Sequence, residues 1–319
     1  MNSDQQNDKG EQMGHLRVRT ACVCCLAFAL LLAAQVVGGS VAPAGAQATT
    51  WSCSPATPSA ADSAATPASL APATPIAFPE GGGNLTVFAA ASLTDAFNTM
   101  AHDLEAAHPG LKITINFAGS QQLVTQLTEG APADVFASAN NSQMQAAVDG
   151  GVIDGTPETF VKNQLAIIVP KDNPGGVQNP ADLAKKGLKL DLAAPAVPVG
   201  KYARVSICQM GADTATYGEG FVQNVAANVV SEENNVKAVV TKIQLGEADA
   251  GIVYTTDVTK EVANDVTVIE IPPAVNVIAT YPVAAVKGGN TQLAQAFISY
   301  LLGPDGQATL KQYGFQPVR

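Results

Sequence analysis

Hydrophobic residues follow two different periods along the chain from Asn84 onward. Residues 85–90 form a short apolar run, and apolar side chains then recur at every third or fourth position until Pro109-Gly110. Residues 111–118 alternate between apolar and polar, and residues 121–130 return to the wider spacing. Alternation predicts strands and the wider spacing predicts helices, so two strand–helix pairs and a third strand in "ADVFASA" are expected. The apolar face of the first helix is predicted to consist of Phe97, Met100, Leu104 and Ala107.

A second series of strands and helices follows. It includes the segments "NQLAIIVPK", "LKLDLAAP", "YGEGFVQNVAANVV", "NNVKAVVTKIQLGEAD", "AGIVYTTDV" and "ATYPVAAVKGG", and it ends in the amphipathic helix "TQLAQAFISYLLGPDG" and a short helix before "YGF". Strands that alternate with helices imply right-handed crossovers and a mostly parallel sheet, so the predicted fold class is α/β. The roughly 235 residues after Asn84 suit two α/β lobes better than one.

Residues 1–48 have the composition of a secretory signal peptide. Arg17 and Arg19 precede the apolar run of residues 21–39, and small residues follow it up to Ala46-Gln47-Ala48. A basic region, an apolar region and an A-x-A site are the parts of a signal that a peptidase removes, so we predict an exported protein. If it stayed uncut, an apolar run of about 20 residues would be long enough to anchor the chain in a membrane.

Residues 49–84 are dominated by Ala, Pro, Thr and Ser and are predicted to form a linker. Cys22, Cys24 and Cys25 lie in the signal segment, which leaves Cys53 and Cys208 in the mature chain. These two cysteines could form a disulfide in an oxidising compartment. Alternatively, Cys53 could carry a lipid that tethers the chain, while Cys208 packs as a small apolar side chain.

The charge of the chain narrows its possible partners. The formal net charge is −10, and removal of residues 1–48 leaves it unchanged because that segment carries equal numbers of acidic and basic residues. An acidic surface without a basic stripe argues against binding to nucleic acids or to anionic membranes. With 47% hydrophobic and 14% charged residues, the chain is expected to be globular.

The sequence gives little support for an enzyme. His15 lies in the signal segment, and His102 and His108 lie on or just after the first predicted helix, without the spacing of metal ligands. The chain has no G-x-S-x-G motif, no phosphate-binding loop and no G-x-G-x-x-G motif after the first strand. We therefore predict no catalytic residues, no cofactor and no metal ion held directly by side chains.

Ser92 and Ser120 each begin a predicted helix directly after a strand. Either serine alone would ordinarily be a helix N-cap. Two such serines in successive units lie at the carboxyl edge of one parallel sheet, where open α/β folds bind ligands. Helix N-termini offer free N–H groups and a partial positive charge, so the two turns predict an anion site that needs neither lysine nor arginine.

The second half of the chain contains turns of a similar kind. Pro198-Val199-Gly200 precedes a helical stretch, an Asn-Asn pair stands ahead of Val236, and Tyr254 ends a buried strand. Apolar residues at a helix start and a tyrosine at a strand end ordinarily pack in a core, so the pattern alone assigns them no binding role. Lys201 and Arg204 could neutralise an anion, but they suit a solvated helix face equally well.

Six motifs occur in the order found in a known family. They are "VFAAASLTDAF", "FAGSQQLVTQLTEGAPADVFASA", "VPVGKYA", "ENNVKA", "AGIVYTTD" and "YPVAAVKGG" with the C-terminal "AFISYLLGPDGQATLKQYGF". Together they resemble the molybdate-binding proteins that serve ABC importers. The resemblance runs from Leu85 to Pro317, nearly all of the part predicted to fold.

The resemblance implies the type II periplasmic-binding-protein fold, two α/β lobes with the ligand in the cleft between them. Lobe one would comprise residues 85–167 and 279–319, and lobe two residues 168–278, with "LAIIVP" and "YPVAAV" as the crossover strands. The ligand would be held by hydroxyl and amide groups of two serines, two backbone amides of lobe two and a tyrosine hydroxyl. These donors fall here on Ser92, Ser120, Val199, Val236 and Tyr254.

The resemblance also implies a ligand and a partner. The ligand would be molybdate, and tungstate as well, and its molybdenum would be held only through its oxygens. The protein would be a monomer that closes on the anion and passes it to the permease of an ABC importer, at the outer face of the cytoplasmic membrane or in the periplasm. Two residues depart from the family pattern: Val199 replaces an alanine, and Asn140 stands where aspartate is common.

Two alternatives are left open by the sequence. The chain could be a receptor for another tetrahedral oxyanion such as sulfate, which is also a pure hydrogen-bond acceptor. It could also be a secreted hydrolase that uses Ser92 or Ser120 with His102 or His108, although no motif places a base beside either serine.

Overall fold

The computed structural model describes residues 51–53 and 76–318. The predicted signal peptide, residues 1–48, and most of the predicted linker, residues 49–84, therefore lie outside the described residues. None of the helices in the described ranges has both the length and the apolar character that a membrane crossing requires.

The chain from Gly83 onward alternates strands with helices, as the sequence predicts. In the described ranges the strands are β1 Gly83–Ala90, β2 Leu111–Ala118, β3 Val135–Ala137, β4 Ile153–Pro170, β5 Leu190–Ala193, β6 Val229–Glu233, β7 Ala250–Tyr254, β8 Val266–Glu270 and β9 Ile278–Val286. The helices are α1 Thr94–Ala107, α2 Ser120–Thr128, α3 Asn141–Asp149, α4 Pro198–Ala212, α5 Thr214–Tyr217, α6 Phe221–Asn228, α7 Val236–Gln244, α8 Val262–Asp265, α9 Thr291–Leu302 and α10 Pro304–Gln312. Short 3₁₀ turns occupy Ala91–Leu93, Pro180–Ala184 and Thr255–Asp257.

The strands form one sheet in the order β2-β1-β3-β9-β4-β7-β5-β6, with β8 beside β4. β1 runs parallel to β2 and β3, and β5 runs parallel to β6 and β7. β9 is antiparallel to β3 and β4, and β4 is antiparallel to β7 and β8. The prediction of a mostly parallel sheet is therefore wrong at the two long strands. β9 returns the chain from the far half of the sheet, so it runs antiparallel to β3.

The 18-residue strand β4 divides the sheet into two halves. Its residues up to Gln164 pair with β9, and its residues from Leu165 pair with β7. We call the half with β1, β2, β3 and β9 lobe one and the half with β5, β6, β7 and β8 lobe two. The predicted lobe boundaries stay a prediction, because a continuous sheet offers no break at which to place them.

The predicted crossover segments lie in β4 and β9. "LAIIVP" pairs entirely within lobe two, and "YPVAAV" of β9 pairs with β3 and β4 in lobe one. The chain therefore crosses at Gln164–Leu165 and returns in the segment before β9. β1, β2 and β3 run in the direction of β4, toward lobe two, and β5, β6 and β7 run against it, toward lobe one. The carboxyl ends of these strands therefore meet at the crossover.

Apolar packing follows most of the predicted pattern. Phe97, Met100 and Leu104 of α1 are buried, whereas Ala107 at the last turn is exposed. Phe97 packs edge-on against Phe297 of α9, with ring centroids 5.7 Å apart. The sequence prediction missed α3, β8 and the first part of β4, where Asp154–Thr156 are exposed and the strand pairing is irregular.

A disulfide joins Cys53 to Cys208 of α4, with 5.6 Å between the two Cα atoms. Trp51 lies beside it, and the guanidinium of Arg204 stacks over the indole ring at 4.9 Å from the ring centroid. The disulfide confirms the first of the two alternatives for Cys53, since a thiol in a disulfide cannot carry a lipid. It also fixes the start of the predicted linker, at Cys53, onto lobe two.

Candidate functional site

A small cavity lies where the carboxyl edges of the two lobes meet. All five residues predicted to hold a ligand line it, three on lobe two and two on lobe one. The lining residues are Ala90, Ala91, Ser92, Ala118, Gly119, Ser120, Ala139, Val197, Pro198, Val199, Asn235, Val236 and Tyr254. None of these side chains carries a charge. An anion in the cavity would therefore be held by dipoles and hydrogen-bond donors.

The two serines of lobe one begin helices, but neither is an N-cap. Ser92 lies inside the 3₁₀ turn that follows β1, and Ser120 is the first residue of α2. The cap positions belong to Ala90 and Gly119, and neither helix has a side-chain cap at that position. The N-cap interpretation of the serines is therefore wrong, which leaves both hydroxyls for other partners.

Each serine hydroxyl is held by a neighbour of its own. The backbone N–H of Ala139 donates to Ser120 Oγ at 3.0 Å. Ser92 Oγ lies 2.9 Å from the hydroxyl of Tyr281, a residue of β9. Both serines are buried, with exposed fractions of 5% for Ser92 and 1% for Ser120. Their orientation at the cavity is thus fixed by the protein and needs no ligand.

The two valines of lobe two line the cavity at the starts of helices. Val199 is the second residue of α4, after Pro198, and Val236 is the first residue of α7. Their side chains belong to the hydrophobic core. The first N–H groups of a helix have no partner within the helix, so these valines can contribute amide donors regardless of their side chains. Asn235 caps α7 by accepting from the Ala238 amide at 3.1 Å.

Tyr254 ends β7 and completes the cavity wall. Its side chain is almost fully buried, and its hydroxyl has no hydrogen-bond partner among the described residues. Burial raises the pKa of this phenol well above its ordinary value, so the hydroxyl is a neutral donor at physiological pH. A buried hydroxyl without a partner is costly, and a ligand oxygen in the cavity would satisfy it.

The lobes touch directly around the cavity. The Gln121 amide of lobe one donates to the Asn234 carbonyl of lobe two at 2.8 Å, and Gln143 donates to the Ala196 carbonyl at 3.0 Å. Lys201 Nζ donates to Ser142 Oγ at 2.9 Å. The structure therefore shows the closed arrangement of the two lobes.

An ion pair adds to these contacts. Lys237 Nζ of α7 lies 2.7 Å from Asp95 of α1 and 3.6 Å from Asp257, which is fully buried behind Tyr254. Burial opposes the charge of Lys237, but Asp257 and Asp95 outweigh it and raise the pKa of the lysine. Burial raises the pKa of Asp257 to about 6, although Lys237 opposes that shift.

Lys201 and Arg204 do not line the cavity. Lys201 spans the lobes through Ser142, and Arg204 donates to the carbonyls of Ala193 and Gly200 and pairs with Glu232. Gly200 allows the start of α4 to lie close to the backbone of Ala193 and Ala194, because a Cβ at position 200 would collide with their carbonyls. The sequence alternative in which these cations neutralise an anion directly is not supported by their positions.

No histidine contacts either serine within the described ranges. His102 is exposed and pairs with Asp103 at 3.3 Å, while His108 packs against Phe78. Asn140, the second departure from the family pattern, caps α3 by accepting from the Gln143 amide at 2.8 Å. The same described ranges hold no cluster of three potential metal ligands.

Two residues near the cavity escaped the sequence prediction. Tyr281 contacts Ser92 but reads in the sequence as a core residue of a strand. Gly119 approaches lobe two so closely that a Cβ at this position would collide with the Asn234 carbonyl. The signal for Gly119 was its place between a strand and a serine at a helix start, where a small residue allows close approach.

Known proteins resemble this chain over nearly all of the described core. Residues 85–316 match the model of a family described as bacterial extracellular solute-binding protein. The molybdate-binding protein ModA of Mycobacterium tuberculosis is 37% identical over 237 residues, which cover 74% of this chain and 85% of that protein. ModA of Escherichia coli is 32% identical over 243 residues, which cover 73% of this chain and 89% of that protein. The structure of the periplasmic molybdate-binding protein of Azotobacter vinelandii superimposes with a TM-score of 0.61 at 20% identity, covering 74% of this chain and 100% of that one.

Proposed function

Since the chain belongs to the family of bacterial extracellular solute-binding proteins, we propose that it captures molybdate in the interlobe cavity and delivers it to an ABC importer. Its architecture is that of the type II periplasmic binding proteins. The observation that carries the proposal is the cavity itself, an uncharged chamber between closed lobes that is lined by Ser92, Ser120, Val199, Val236 and Tyr254. The relatives named as molybdate-binding proteins support the choice of anion.

Donor chemistry accounts for the selection of the anion. Molybdate and tungstate are fully deprotonated dianions at neutral pH, so every one of their oxygens accepts hydrogen bonds. The cavity offers hydroxyls and helix N-terminal amides, which donate, and no carboxylate that could accept. Hydrogen phosphate carries an O–H for which the cavity provides no carboxylate acceptor, and an unpaired polar group inside such a site is costly. The cavity therefore favours pure acceptors.

Closure explains how capture is coupled to transport. Donors come from both lobes, so the complete set reaches the four oxygens of the anion only when the lobes are closed. The closed form would then be the one that the permease recognises. Direct contacts between the lobes, such as the hydrogen bond from Gln121 to the Asn234 carbonyl, add to the bridging by the anion in the closed arrangement.

Export is part of the proposal. Residues 1–48 would direct secretion and then be removed, and the mature chain would act outside the cytoplasm as a monomer. The Cys53–Cys208 disulfide supports an oxidising compartment, since disulfides persist there and are rare in the cytosol. It argues against a lipid on Cys53 as the tether.

Calorimetric titration of the mature protein with molybdate, tungstate, sulfate and phosphate tests the function. We expect molybdate and tungstate to bind with similar affinity and phosphate to bind far more weakly. Replacement of Ser92 and Ser120 together by Ala should weaken molybdate binding by at least roughly 100-fold, since each change removes a hydrogen bond to a charged ligand. His102→Ala, at an exposed site, serves as the control. Tight sulfate binding without molybdate binding would overturn the choice of ligand in favour of the sulfate alternative.

A further inference from the structure

The hydroxyl of Ser92 belongs to a buried chain of hydrogen bonds that leads away from the cavity. Tyr281 Oη lies 2.9 Å from Ser92 Oγ and 3.3 Å from Asn163 Nδ2. Tyr281 and Asn163 have no exposed surface, and they stand on β9 and β4, the two long antiparallel strands of lobe one. The Tyr281 ring is held edge-on by Phe160 and Phe315. The chain is therefore rigid and sealed from water.

The direction of the chain follows from the Asn163 amide. Asn163 Oδ1 accepts from the backbone N–H of Gln164 at 2.9 Å, and a backbone N–H can only donate. The oxygen of the amide is thereby identified, so the nitrogen faces the other way. Nδ2 donates to Thr256 Oγ1 at 2.8 Å and to Tyr281 Oη. Tyr281 thus accepts from Asn163.

The nearest hydrogen-bond acceptor for the proton of Tyr281 is Ser92 Oγ. Burial raises the pKa of the Tyr281 phenol, so it keeps its proton. The neighbouring Tyr254 hydroxyl is not in hydrogen-bond geometry with Tyr281, whereas Ser92 Oγ lies 2.9 Å away, so we assign Ser92 Oγ as the acceptor for the Tyr281 proton. Ser92 receives this bond and must direct its own proton elsewhere. Ser120 is placed in the same way, because the Ala139 N–H donates to its oxygen.

We propose that Tyr281 is a positioning residue that makes the Ser92 hydroxyl a donor toward the cavity and thereby excludes oxyanions that carry a proton. The proposal rests on the function proposed above and adds a cause for its selectivity. A serine hydroxyl is ordinarily free to donate or to accept. With Tyr281 in place, the oxygen of Ser92 is occupied and only its proton faces the ligand.

Tyr281→Phe tests the proposal, because it removes one oxygen and leaves the ring in its packing. Tyr313→Phe is the matched control: its hydroxyl bonds Thr99 Oγ1 at 2.6 Å in the same lobe but outside the cavity lining. Both variants and the parent protein are titrated with molybdate, sulfate and hydrogen phosphate. We expect Tyr281→Phe to weaken molybdate binding by roughly tenfold and to leave phosphate binding equal or stronger, so that the ratio of the two affinities falls. The control should leave the ratio unchanged.

A double-mutant cycle with Ser92→Ala shows whether Tyr281 acts through Ser92. If it does, Tyr281→Phe weakens molybdate binding in the parent and has little further effect once Ser92 is alanine. Equal losses in both backgrounds, or a drop in affinity for all anions by the same factor, would indicate a merely structural role and overturn the proposal. Thermal unfolding of each variant, compared with Tyr313→Phe, identifies any loss that comes from misfolding.

The outcomes also separate this proposal from the function on which it rests. If the parent binds sulfate in place of molybdate, the choice of ligand fails, but the change in the sulfate-to-phosphate ratio in Tyr281→Phe still supports the positioning role. If the parent binds molybdate and the ratio does not change in Tyr281→Phe, only the positioning role is overturned. A parent that binds none of these anions overturns both.

Discussion

The two lobes line the same cavity with different kinds of donors. Lobe one provides the side-chain hydroxyls of Ser92 and Ser120, each held by a bond from a neighbour. Lobe two provides the starts of α4 and α7, where Val199 and Val236 face the cavity while their side chains lie in the hydrophobic core. Donors on side chains depend on residue identity, whereas donors on the backbone depend only on where a helix begins. The lobes should therefore respond differently to substitution.

Val236 gives the sharpest test of the backbone donors. Proline at this position would remove the N–H and little else, because the first helical position tolerates proline and Asn235 before it is already extended, with φ −160° and ψ 168°. We expect Val236→Pro to weaken molybdate binding by roughly 10- to 100-fold, the cost of a lost hydrogen bond to a charged ligand. Calorimetric titration measures the change.

Val236→Ala is the matched control, since it shortens the side chain and keeps the N–H. It should lower the unfolding free energy by about 1–2 kcal/mol, because the valine is 3% exposed and packs in the core. Its molybdate affinity should stay within roughly threefold of the parent. If the alanine variant lost as much affinity as the proline variant, lobe two would be using side chains, and the contrast between the lobes would not hold.

The same contrast explains what sequence could predict. Alternating periods gave most of the strands and helices, and the serines of lobe one stood out because a hydroxyl at a helix start has a chemical meaning of its own. Val199 and Val236 had no such mark, and only the resemblance to a family pointed to them. A backbone amide can donate whatever side chain the residue carries, so the identity of the residue does not reveal that its amide lies at a binding site.

Local sequence patterns could not predict contacts between residues that lie far apart in the chain. Tyr281 reads as a core tyrosine, and its contact with Ser92 joins residues 189 positions apart in the chain. The Cys53–Cys208 disulfide spans 155 positions, and the sequence alone left both pairing and separate roles open for these two cysteines. The antiparallel course of β9 depends on the return from lobe two, which a period of two or 3.6 residues does not encode.

Gly119 tests whether closure itself limits binding. Its φ of −60° and ψ of 137° are allowed for alanine, so the substitution introduces no backbone strain. In the closed arrangement, however, the new Cβ would collide with the Asn234 carbonyl of lobe two. We expect Gly119→Ala to weaken molybdate binding on the order of tenfold, as the overpacked contact forces the lobes apart. Small-angle scattering with saturating molybdate should show a larger radius of gyration than the parent.

A control for Gly119 is available on the opposite edge of lobe one. Gly81 has no atom within 4 Å of its would-be Cβ, so Gly81→Ala should change neither affinity nor radius. A Gly119→Ala protein that closes and binds like the parent would show that the backbone at Asn234 shifts to accommodate the new Cβ without measurable cost. The interlobe contacts would then be a consequence of closure and not a constraint on it.

The ion pair between the lobes should have a smaller effect. The Asp95 and Lys237 side chains are 39% and 29% exposed, so salt screens their attraction. Asp95→Asn should weaken molybdate binding by about two- to fivefold at low ionic strength and by less at high salt. Glu105→Gln, which breaks a pair with Lys112 inside lobe one, is the control and should leave affinity unchanged. A loss in Asp95→Asn that did not diminish with salt would point to a cause other than the ion pair.

The last difference between the lobes concerns stability alone. Among the described residues the fully buried carboxylates are Asp191 and Asp257, and both belong to lobe two. Neither oxygen of Asp191 has a hydrogen-bond partner in the described ranges. Burial raises the pKa of Asp191 to about 7, and the charge of Glu233 adds to that shift while Lys242 opposes it. The folded protein therefore holds this proton more tightly than the unfolded chain, whose aspartates titrate near pH 4.

The contribution of Asp191 to stability should consequently fall as the pH rises from about 4 to 7, because ionisation of Asp191 is costly only in the folded state. The loss over that window is at most about 4 kcal/mol from this group. Asp191→Asn cannot ionise, so the free energy of urea unfolding should vary less between pH 5 and pH 8 than in the parent, while molybdate affinity stays the same because Asp191 does not line the cavity. Asp154→Asn, at an exposed site of lobe one, should keep the slope of the parent. An unchanged slope in Asp191→Asn would mean that the carboxylate finds a partner in solution and that lobe two is no more sensitive to pH than lobe one.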